Sequence, residues 1–517
     1  GHSGGIWTIT PTAPFDDIVG TVTIDATTQP GFVTDPIVQL DGSDPGASGA
    51  TSALTLEANN SLIEGFIVHS WQDEGLEIDA STGKGDNNTL RNNWVGIDSS
   101  QTPQPLGDVG ILITVGAGGN TIDGNVVVNA TTSGIWIRDA GSDDNVIVGN
   151  LIGVGPDGVT AIPNTQEGIV IETGAANNRI GGTTAAEANV IAHNGSDGID
   201  LKSTAGSGNS ILRNSIYSNG GMGIDIDPNG VNANDAGDGD TGPNDRLNFP
   251  VISSASEVSG TVTVTFDLDV SAGTYRVEFF DNTAADASGY GEGETFLSAV
   301  TVSPGTGLTH TFSGAEGDIL TATATADLGG GTYGSTSEFS AAVVVGSPTL
   351  VVNSGGNSAD LNPGNGLCDT GGTNSEGASE CTLLAAIQEA NAFTGANQIH
   401  FAIPDSDPLY RNLGAGISYW RIQPGTSIDP LTDNDTTIDG TTQTTYAVGQ
   451  GYYVNATGPE VEIGDAGGIG GVGLEIQSDN NEIRGLAVNR FATGIEIDGG
   501  HDNLIAGNYV GTDPSGT

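Results

Sequence analysis

Apolar residues in the first 240 positions alternate with polar ones in short runs that keep returning. One recurrent phrase is Gly, then Ile or Leu, then any residue, then Ile or Leu; it begins at Gly75, Gly110, Gly134, Gly168, Gly198 and Gly223. The other begins with Asn and carries Ile or Leu two residues later; it starts at Asn88, Asn120, Asn145, Asn189 and Asn209. Alternation with period two indicates short strands, and the bounding Gly and Asn residues tolerate the left-handed backbone of tight bends.

The two phrases return about once in every 25 to 35 residues, which is typical of a solenoid. Equivalent strands that recur once per coil cannot form hairpins, so they must pair in parallel with the next coil. This predicts an all-β fold that begins with a right-handed parallel β-helix, rising ~4.8 Å per coil. Two columns of side chains follow from the alternation. Ile111, Ile135, Ile169 and Ile199 should form one interior row, while Glu77, Leu112, Trp136, Val170, Asp200 and Asp225 should point outward.

The middle of that outward column is apolar. We therefore predict that Leu112, Trp136 and Val170 are covered by a loop, a neighbouring domain or another chain, and they are our candidates for packing or interface residues. The recurrent Asn residues should stack at the coil corners as an amide ladder.

The repeat ends after Asp240, and three domains follow from the change in pattern. Residues 1–249 are predicted to form the parallel β-helix. Residues 250–346 contain short alternating segments with turns between them, which indicates an immunoglobulin-like β-sandwich. Residues 347–517 contain one convincing helix, CTLLAAIQEANAFTG, followed by renewed coil phrases, which indicates a helix-capped start of a second parallel β-helix.

The two ends of the chain resemble each other. IWTITP around Trp7 is similar to YWRIQP around Trp420, and TVTIDATTQ is similar to TTIDGTTQ. Both pairs are separated by about 415 residues, which indicates a large repeated unit. We therefore expect the sequence to be a segment of a longer tandem array.

Charge excludes several classes of partner. Asp and Glu number 64 against 12 Lys and Arg, a formal net charge of −52 at pH 7, which repels nucleic acid and anionic membranes. Membrane insertion is not expected either, because no apolar run approaches the ~20 residues that a spanning helix needs. The six His form no zinc-ligand spacing. A solvating acidic coat and divalent-cation binding both fit this composition.

Calcium is the cofactor that the sequence suggests. The segment DIDPNGVNANDAGDGDTGPND combines hard oxygen donors with a Gly-rich loop, as Ca²⁺ sites do, although it lacks the spaced Glu of an EF-hand. The candidate ligands are Asp225, Asp227, Asn229, Asp235, Asp238, Asp240 and Asn244. The alternative is an acidic, turn-rich linker without a metal.

Two cysteines, Cys368 and Cys381, lie close together in a Gly- and Asn-rich loop. A disulfide across so short a loop would contribute ~3 kcal/mol and would imply an oxidising compartment.

DLNPGNGLC, followed by CTLLAAIQEANAFTGANQIHF, resembles the CSLREX-type domain of bacterial and archaeal surface proteins, in which two Cys bracket a loop before a helix. The coil phrases resemble the parallel β-helix repeat of the same proteins. Leu384 stands where that family usually has Arg, so any ion pair of that Arg is missing here. The resemblance implies export and surface attachment or adhesion, without agreed catalytic residues.

These observations predict a structural or adhesive repeat segment of a large extracellular or cell-surface protein or filament. Its partners would be neighbouring repeats, copies of the same chain or cell-surface glycans. The alternative is a polysaccharide-binding or polysaccharide-cleaving module that uses Asp200 and Asp225, with His193 and Lys202 nearby in sequence. No Arg-x-Lys motif accompanies that pair, so we predict no catalytic residues and a protein that is not an enzyme.

Overall fold

The computed structural model describes residues 2–3, 5–44, 46, 51–258, 260–346, 349–363, 368–392, 397–414, 417–424, 428–452, 454–455, 458–464 and 471–516. The chain divides into two compact units. The first contains residues 1–255, 264–312 and 318–344, and the second contains residues 256–263, 313–317 and 345–517.

The first unit begins with three parallel sheets that wrap around one core, which we call faces I, II and III. Face I contains His2–Ser3, Ile6–Ile9, Val38–Asp41, Phe66–His69, Trp94–Val95, Val126–Val127, Leu151–Ile152, Val190–Ala192 and Ser215–Tyr217. Face II contains Leu54–Leu56, Leu76–Asp79, Ile111–Thr114, Ile135–Arg138, Ile169–Glu172, Ile199–Leu201 and Ile224–Ile226. Face III contains Thr23–Asp25, Leu62–Glu64, Thr89–Arg91, Thr121–Asp123, Val146–Val148, Arg179–Gly181 and Ser210–Leu212.

Equivalent residues of successive coils lie directly over one another on face II. Ile111 pairs with Ile135, Ile135 with Ile169, and Ile169 with Ile199, and all four side chains are fully buried. The predicted interior row is therefore confirmed, and the fold is a parallel β-helix. Among the residues that the structure describes here, only the first strand pair, His2–Ser3 with Ile6–Ile9, is antiparallel.

Buried asparagines stack at the coil corners. Asn145 is representative: its Oδ1 accepts from the backbone N–H and Nδ2 of Asn120 at 2.9 and 3.0 Å. Its own N–H and Nδ2 donate to Oδ1 of Asn178 at 2.9 and 3.0 Å. A second ladder contains Asn93, Asn125, Asn150, Asn189 and Asn214, and a third contains Asn164, Asn194 and Asn219. The bends therefore satisfy their own polar groups inside the coil.

Face I carries an outward apolar patch that the sequence pattern did not reveal. Trp94, Val126 and Val128 are buried there together with Ile97 and Ile162. Ile97 and Ile162 belong to two loops, closed by the antiparallel bridges Ile97 to Pro103 and Val154 to Ala161. The two loops thus fold over the outer surface of face I.

A β-sandwich follows the coil in the chain. One sheet contains Val251–Val258, Thr261–Leu268 and Gly305–Ser313. The other contains Tyr275–Asn282, Thr295–Val302, Ile319–Gly329, Thr332–Thr336 and Val343–Val344. The two sheets meet through Phe266 and Phe279, whose ring centroids lie 5.4 Å apart. The immunoglobulin-like topology and the boundaries 1–249, 250–346 and 347–517 stay predictions.

The second unit repeats the coil architecture. One face contains Thr349–Val352, Gln398–Phe401, Thr437–Asp439, Glu482–Arg484 and Leu504–Ala506. Another contains Tyr410–Gly414, Ile417–Ile422, Val461–Gly464, Leu486–Asn489 and Tyr509–Val510, and a third contains Val472–Ile476 and Thr493–Ile497. In the described part of this unit, all strand pairs are parallel except the one between Tyr410–Gly414 and Ile417–Ile422.

Helices are short and few in the described ranges. Two α-helices, Leu383–Ala392 and Thr441–Gln450, lie in the second unit. Three 3₁₀ turns, Ala26–Thr28, Ala185–Glu187 and Pro243–Arg246, lie in the first. Within the ranges given above, no helix combines the length and the apolar character needed to cross a bilayer.

Candidate functional site

The sandwich closes the last coil of the first β-helix with three buried glutamates. Glu338 accepts from the backbone N–H of Ile226 at 3.0 Å, and Glu278 accepts from that of Arg213 at 2.7 Å. Glu292 accepts from the N–H of Ser218 and, at 3.1 Å, from that of Asn219. In inner coils such N–H groups bond to the neighbouring coil, so the carboxylates act in place of a further coil.

Apolar and amide groups complete this joint. Phe280 and Phe339 of the sandwich are buried in the same core cluster as Ile224 and Ile226 of the last coil. Glu292 Oε1 accepts from Nδ2 of Asn219 at 3.1 Å, so it continues the third asparagine ladder. The last coil and the sandwich therefore share one core and one hydrogen-bond network.

Asn244 extends the first asparagine ladder. Its Oδ1 accepts from the N–H of Asn209 at 2.9 Å, and its Nδ2 donates to the carbonyl oxygens of Asn209 and Thr336 at 2.7 and 2.9 Å. Both ends of the Asn244 amide thus already have partners in a fully buried position, and its role as a calcium ligand stays a prediction.

Burial raises the pKa of all three capping glutamates. The pKa of Glu338 rises to about 7, although its bonds from Asn232 and Ile226 act in the opposite direction. Burial likewise dominates at Glu278, against the opposing effect of the Arg276 guanidinium, which lies 2.7 Å away. The joint therefore holds carboxyl groups that are easily protonated.

Three of the calcium candidates gather on the loop beside this joint. One carboxylate oxygen each from Asp235, Asp238 and Asp240 can be chosen so that all lie within 4.8 Å of one another. Burial raises the pKa of Asp238, and the charges of Asp240 and Asp235 raise it further. No ion pair offsets these charges in the part of the chain that the structure describes. The three oxygens form a donor set that suits a hard cation such as Ca²⁺.

This acidic cluster borders a cavity of about 520 Å³. Asp238 and Asp240 line it from the loop, Ser207 from the coil, and Tyr275 and Ser335 from the sandwich. A cation held by the loop would thus lie where the coil and the sandwich meet.

The other candidate ligands lie elsewhere. Asp225 is buried on the last strand of face II, beside Asp200. Asp227 follows that strand, and Asn229 is exposed in the next turn. The grouped candidate set is therefore Asp235, Asp238 and Asp240.

A second charged cluster occupies the outer surface of face II. Asp200 and Asp225 are register partners on adjacent coils, as the sequence pattern indicated. Lys202 Nζ contacts Asp200 and lies 3.0 Å from Glu167 Oε1. Burial raises the pKa of Asp200 to about 6, and burial with the charges of Asp197 and Asp200 raises that of Asp225 to about 7. His193 takes no part, because it follows a face I strand and contacts Tyr217.

The apolar middle of the same outward column is largely covered. Leu112 and Val170 are register neighbours of Trp136 and are only 3% and 2% exposed in the chain itself. Their role as packing or interface residues stays a prediction. Trp136 is half-buried, with the Arg138 guanidinium 5.4 Å from its ring centroid. Only Trp136 of these three is accessible to a partner.

The cysteine loop and its helix cover the start of the second β-helix. Cys368 and Cys381 form a disulfide with their Cα atoms 5.2 Å apart. Thr382 Oγ1 accepts from the N–H of Ala385 at 3.1 Å and so caps the helix Leu383–Ala392. Leu383 and Ile387 are buried in one cluster with Leu350, Phe401 and Trp420, and we call residues 349–414 the lid segment.

Sequence reasoning missed the capping glutamates and two members of the lysine-centred cluster, Glu167 and Asp197. The available signal was an acidic residue inside an otherwise apolar strand, as with Glu278 between Val277 and Phe279. Glu167 and Asp197 each precede the Gly of a coil phrase, a position that the strand alternation does not classify.

One family model matches part of the first β-helix. Residues 47–185 match the family described as the right handed beta helix region. No curated protein matches the chain.

Among solved structures, similarity is recorded to the Dettilon tailspike protein, with 13% identity, 61% of this chain and 73% of that chain covered, and a TM-score of 0.22. The enzymatically active domain of bacteriophage CBA120 tailspike protein 2 has 11% identity, 65% and 70% coverage, and a TM-score of 0.19. The A-module of the Azotobacter vinelandii mannuronan C-5 epimerase AlgE6 has 9% identity, 92% and 90% coverage, and a TM-score of 0.19.

Proposed function

We propose that this chain is a structural repeat segment of a large extracellular surface protein or fibre, and not an enzyme. The observation that carries the proposal is the joint between the last coil of the first β-helix and the sandwich. Glu278, Glu292 and Glu338 bond directly to the last coil, so the coil and the sandwich can transmit force as one hydrogen-bonded body.

Calcium and the disulfide would reinforce this scaffold. A Ca²⁺ ion held by Asp235, Asp238 and Asp240 would neutralise the repulsion among them and tie the loop to the joint. The Cys368–Cys381 bond supports an oxidising compartment, and the CSLREX-type resemblance supports export to the cell surface.

Trp136 is our candidate contact with neighbouring repeats or copies. Its ring is half-buried while both register neighbours are buried, so it is the one accessible aromatic ring of this column. Replacing Trp136 by Asp should weaken assembly without unfolding the coil, because Ile135 and Ile137 still point inward.

Electron microscopy of the native material tests the scaffold function most simply. We expect filaments or surface layers, because a scaffold works in continuous arrays. Dispersed single particles at the native concentration would contradict the proposal.

A second candidate function is polysaccharide binding or cleavage on face II. The observation that favours it is the Asp200–Asp225 pair beside Lys202, where a carboxyl group with a pKa of about 7 lies next to a carboxylate paired with an ammonium group. A carboxyl group with a raised pKa beside an ion-paired carboxylate can serve as acid and base. Incubation with a panel of polysaccharides should then release products, and the Asp225→Asn variant should release none. Absence of product from the unmodified chain would remove this candidate.

A further inference from the structure

Three Asn-Gly pairs occur in residues 1–249, at Asn194, Asn219 and Asn229. In such a pair the backbone nitrogen of the Gly can attack the side-chain carbonyl carbon of the Asn, because Gly has no Cβ that obstructs a close approach. The attack releases ammonia and closes a succinimide ring. It requires an Asn side chain that can turn and a group that takes the proton from the Gly nitrogen. The three pairs differ in both respects.

The pairs at Asn194 and Asn219 are held within the third asparagine ladder. Nδ2 of Asn194 donates to Oδ1 of Asn219 at 3.0 Å, and Nδ2 of Asn219 donates to the capping carboxylate of Glu292 at 3.1 Å. The N–H groups of Gly195 and Gly220 donate to backbone carbonyl oxygens at 3.0 and 2.8 Å. A side chain in this ladder cannot turn toward the following Gly without losing its bonds, and a neutral carbonyl oxygen is a very weak base.

The pair at Asn229 lies outside the ladder. Asn229 is exposed in the turn after the strand Ile224–Ile226, and its side chain makes no hydrogen bond to the residues that the structure describes. The N–H of Gly230 donates to Oδ1 of Asp225 at 3.1 Å. Asp225 is only 2% exposed, so little water competes for its carboxylate. Of the three pairs, this one therefore combines an unrestrained side chain with a carboxylate beside the attacking nitrogen.

We propose that Asn229 and Gly230 form a self-modification site in which Asp225 is the base. The backbone nitrogen of Gly230 attacks Cγ of Asn229 and passes its proton to Oδ1 of Asp225. The Cγ–Nδ2 bond then breaks, and the proton passes from Asp225 to the leaving nitrogen, which departs as ammonia. Water opens the resulting succinimide at either carbonyl group and leaves aspartate or isoaspartate at position 229. These steps need no oxidant and no reactant besides water.

The modification changes the connection between the coil and the sandwich. It adds a carboxylate to an acidic loop, and isoaspartate also routes the main chain through the side-chain carbonyl carbon. Farther along the loop, Asn232 donates from its backbone N–H to the capping carboxylate of Glu338 at 2.9 Å. An irreversible change at Asn229 thus lies close to one of the bonds that close the coil. The proposal goes beyond the scaffold function and does not depend on it.

Peptide mapping of the full chain by mass spectrometry tests the proposal. After incubation in the folded state at neutral pH, the peptide containing Asn229 should carry the mass increase of amide-to-acid conversion and should separate into aspartate and isoaspartate forms. The peptides containing Asn194 and Asn219 should be unchanged. In guanidinium chloride, where the fold is lost, all three pairs should convert at similar rates. Asn229 should convert about tenfold faster in the folded chain than in the unfolded chain, because only folding supplies the base.

Two variants distinguish Asp225 from its acidic neighbour in the same turn. Asp225→Asn keeps an acceptor for the N–H of Gly230 but cannot take up its proton at neutral pH, so conversion of Asn229 in the folded chain should slow about tenfold. Asp227→Asn is the matched control and should leave the rate of conversion unchanged.

An unchanged rate in the Asp225→Asn variant, or conversion of Asn229 no faster in the folded than in the unfolded chain, would overturn the proposal. Equal conversion of the three pairs in the folded chain would overturn it as well. The comparison of folded and unfolded states uses the unmodified chain, so it decides the matter even where the variant does not fold. None of these results bears on the filament test of the scaffold function.

Discussion

Buried asparagine side chains determine how successive coils join at the corners. An amide offers both a donor and an acceptor, so identical side chains can bond to each other along the coil axis. The sequence allowed this ladder to be predicted, because Asn recurs at the same place in each phrase. It did not show that Asn244, beyond the last phrase, belongs to the ladder, because that residue is aligned by the fold alone.

Replacing Asn145 by Ala tests the ladder. The change removes the side-chain bond from Nδ2 to Asn178 and leaves the N–H of Asn120 without its acceptor in a fully buried position. We expect the free energy of unfolding to fall by about 3 kcal/mol. Denaturation followed by Trp fluorescence is a suitable measurement, since four of the five Trp residues lie in the first β-helix. Asn229→Ala, in an exposed turn, is the control; equal effects of the two variants would contradict the ladder's role.

Glu338 tests the capping carboxylates in the same way. Its two oxygens accept from the backbone N–H groups of Ile226 and Asn232. Gln keeps one acceptor, so Glu338→Gln should lower the free energy of unfolding by about 1 kcal/mol, whereas Glu338→Ala should cost about 3 kcal/mol. Urea denaturation of both variants distinguishes the effects. An Ala variant as stable as the Gln variant would show that these hydrogen bonds do not contribute to the free energy of unfolding.

At the scale of elements, the strands were predictable and the loops were not. Period-two alternation identified the inward row of Ile111, Ile135, Ile169 and Ile199, because a buried face permits only one register. The same alternation placed Leu112 and Val170 outward, but it did not show how small the exposed fractions of these two side chains are. The loops that carry Ile97 and Ile162 over face I have no repeat in the sequence, so their position depends on tertiary packing.

The acidic loop gives a prediction at this scale. Ca²⁺ should raise the melting temperature of the unmodified chain, because it binds the folded cluster of Asp235, Asp238 and Asp240 and stabilises it by mass action. The Asp238→Asn variant should lose most of this shift, whereas Asp16→Asn, an exposed control, should keep it. Identical melting curves with Ca²⁺ and with a chelator would eliminate the calcium site.

At the scale of the whole molecule, the stability of the fold should depend on pH. The net charge of −52 accompanies buried carboxyl groups whose pKa values are raised, to about 7 for Glu74, Asp225 and Glu338 and to about 6 for Asp200. A raised pKa means that the folded state binds protons more tightly than the unfolded state. The resulting stabilisation is fully present below the unfolded pKa values and is lost as the pH rises through 6 to 7.

We therefore expect the melting temperature of the chain to rise as the pH falls from 8 to 5. The Asp225→Asn variant should melt higher than the unmodified chain at pH 8 and should depend less on pH, because the amide keeps an acceptor for Gly230 without the charge. Differential scanning calorimetry across this range measures both effects. A melting temperature that falls on acidification would contradict the assignment of raised pKa values.

The repeated architecture was evident from the sequence because its period is long and its phrases are nearly identical. The joint was not evident from the sequence. Its three glutamates are spread over 60 residues of the sandwich and reach the last coil only in the folded chain.

Hydrogen exchange of the last coil tests most directly the central claim that the sandwich replaces a further coil. The amides of Arg213, Ser218 and Ile226 bond to Glu278, Glu292 and Glu338. If the sandwich closes the coil, peptides covering residues 209–226 should exchange within about tenfold of the rate of inner-coil residues 145–152. Exchange of 209–226 as rapid as that of the amide of the exposed residue Asn229 would show that the end of the coil is open, and the account would be wrong.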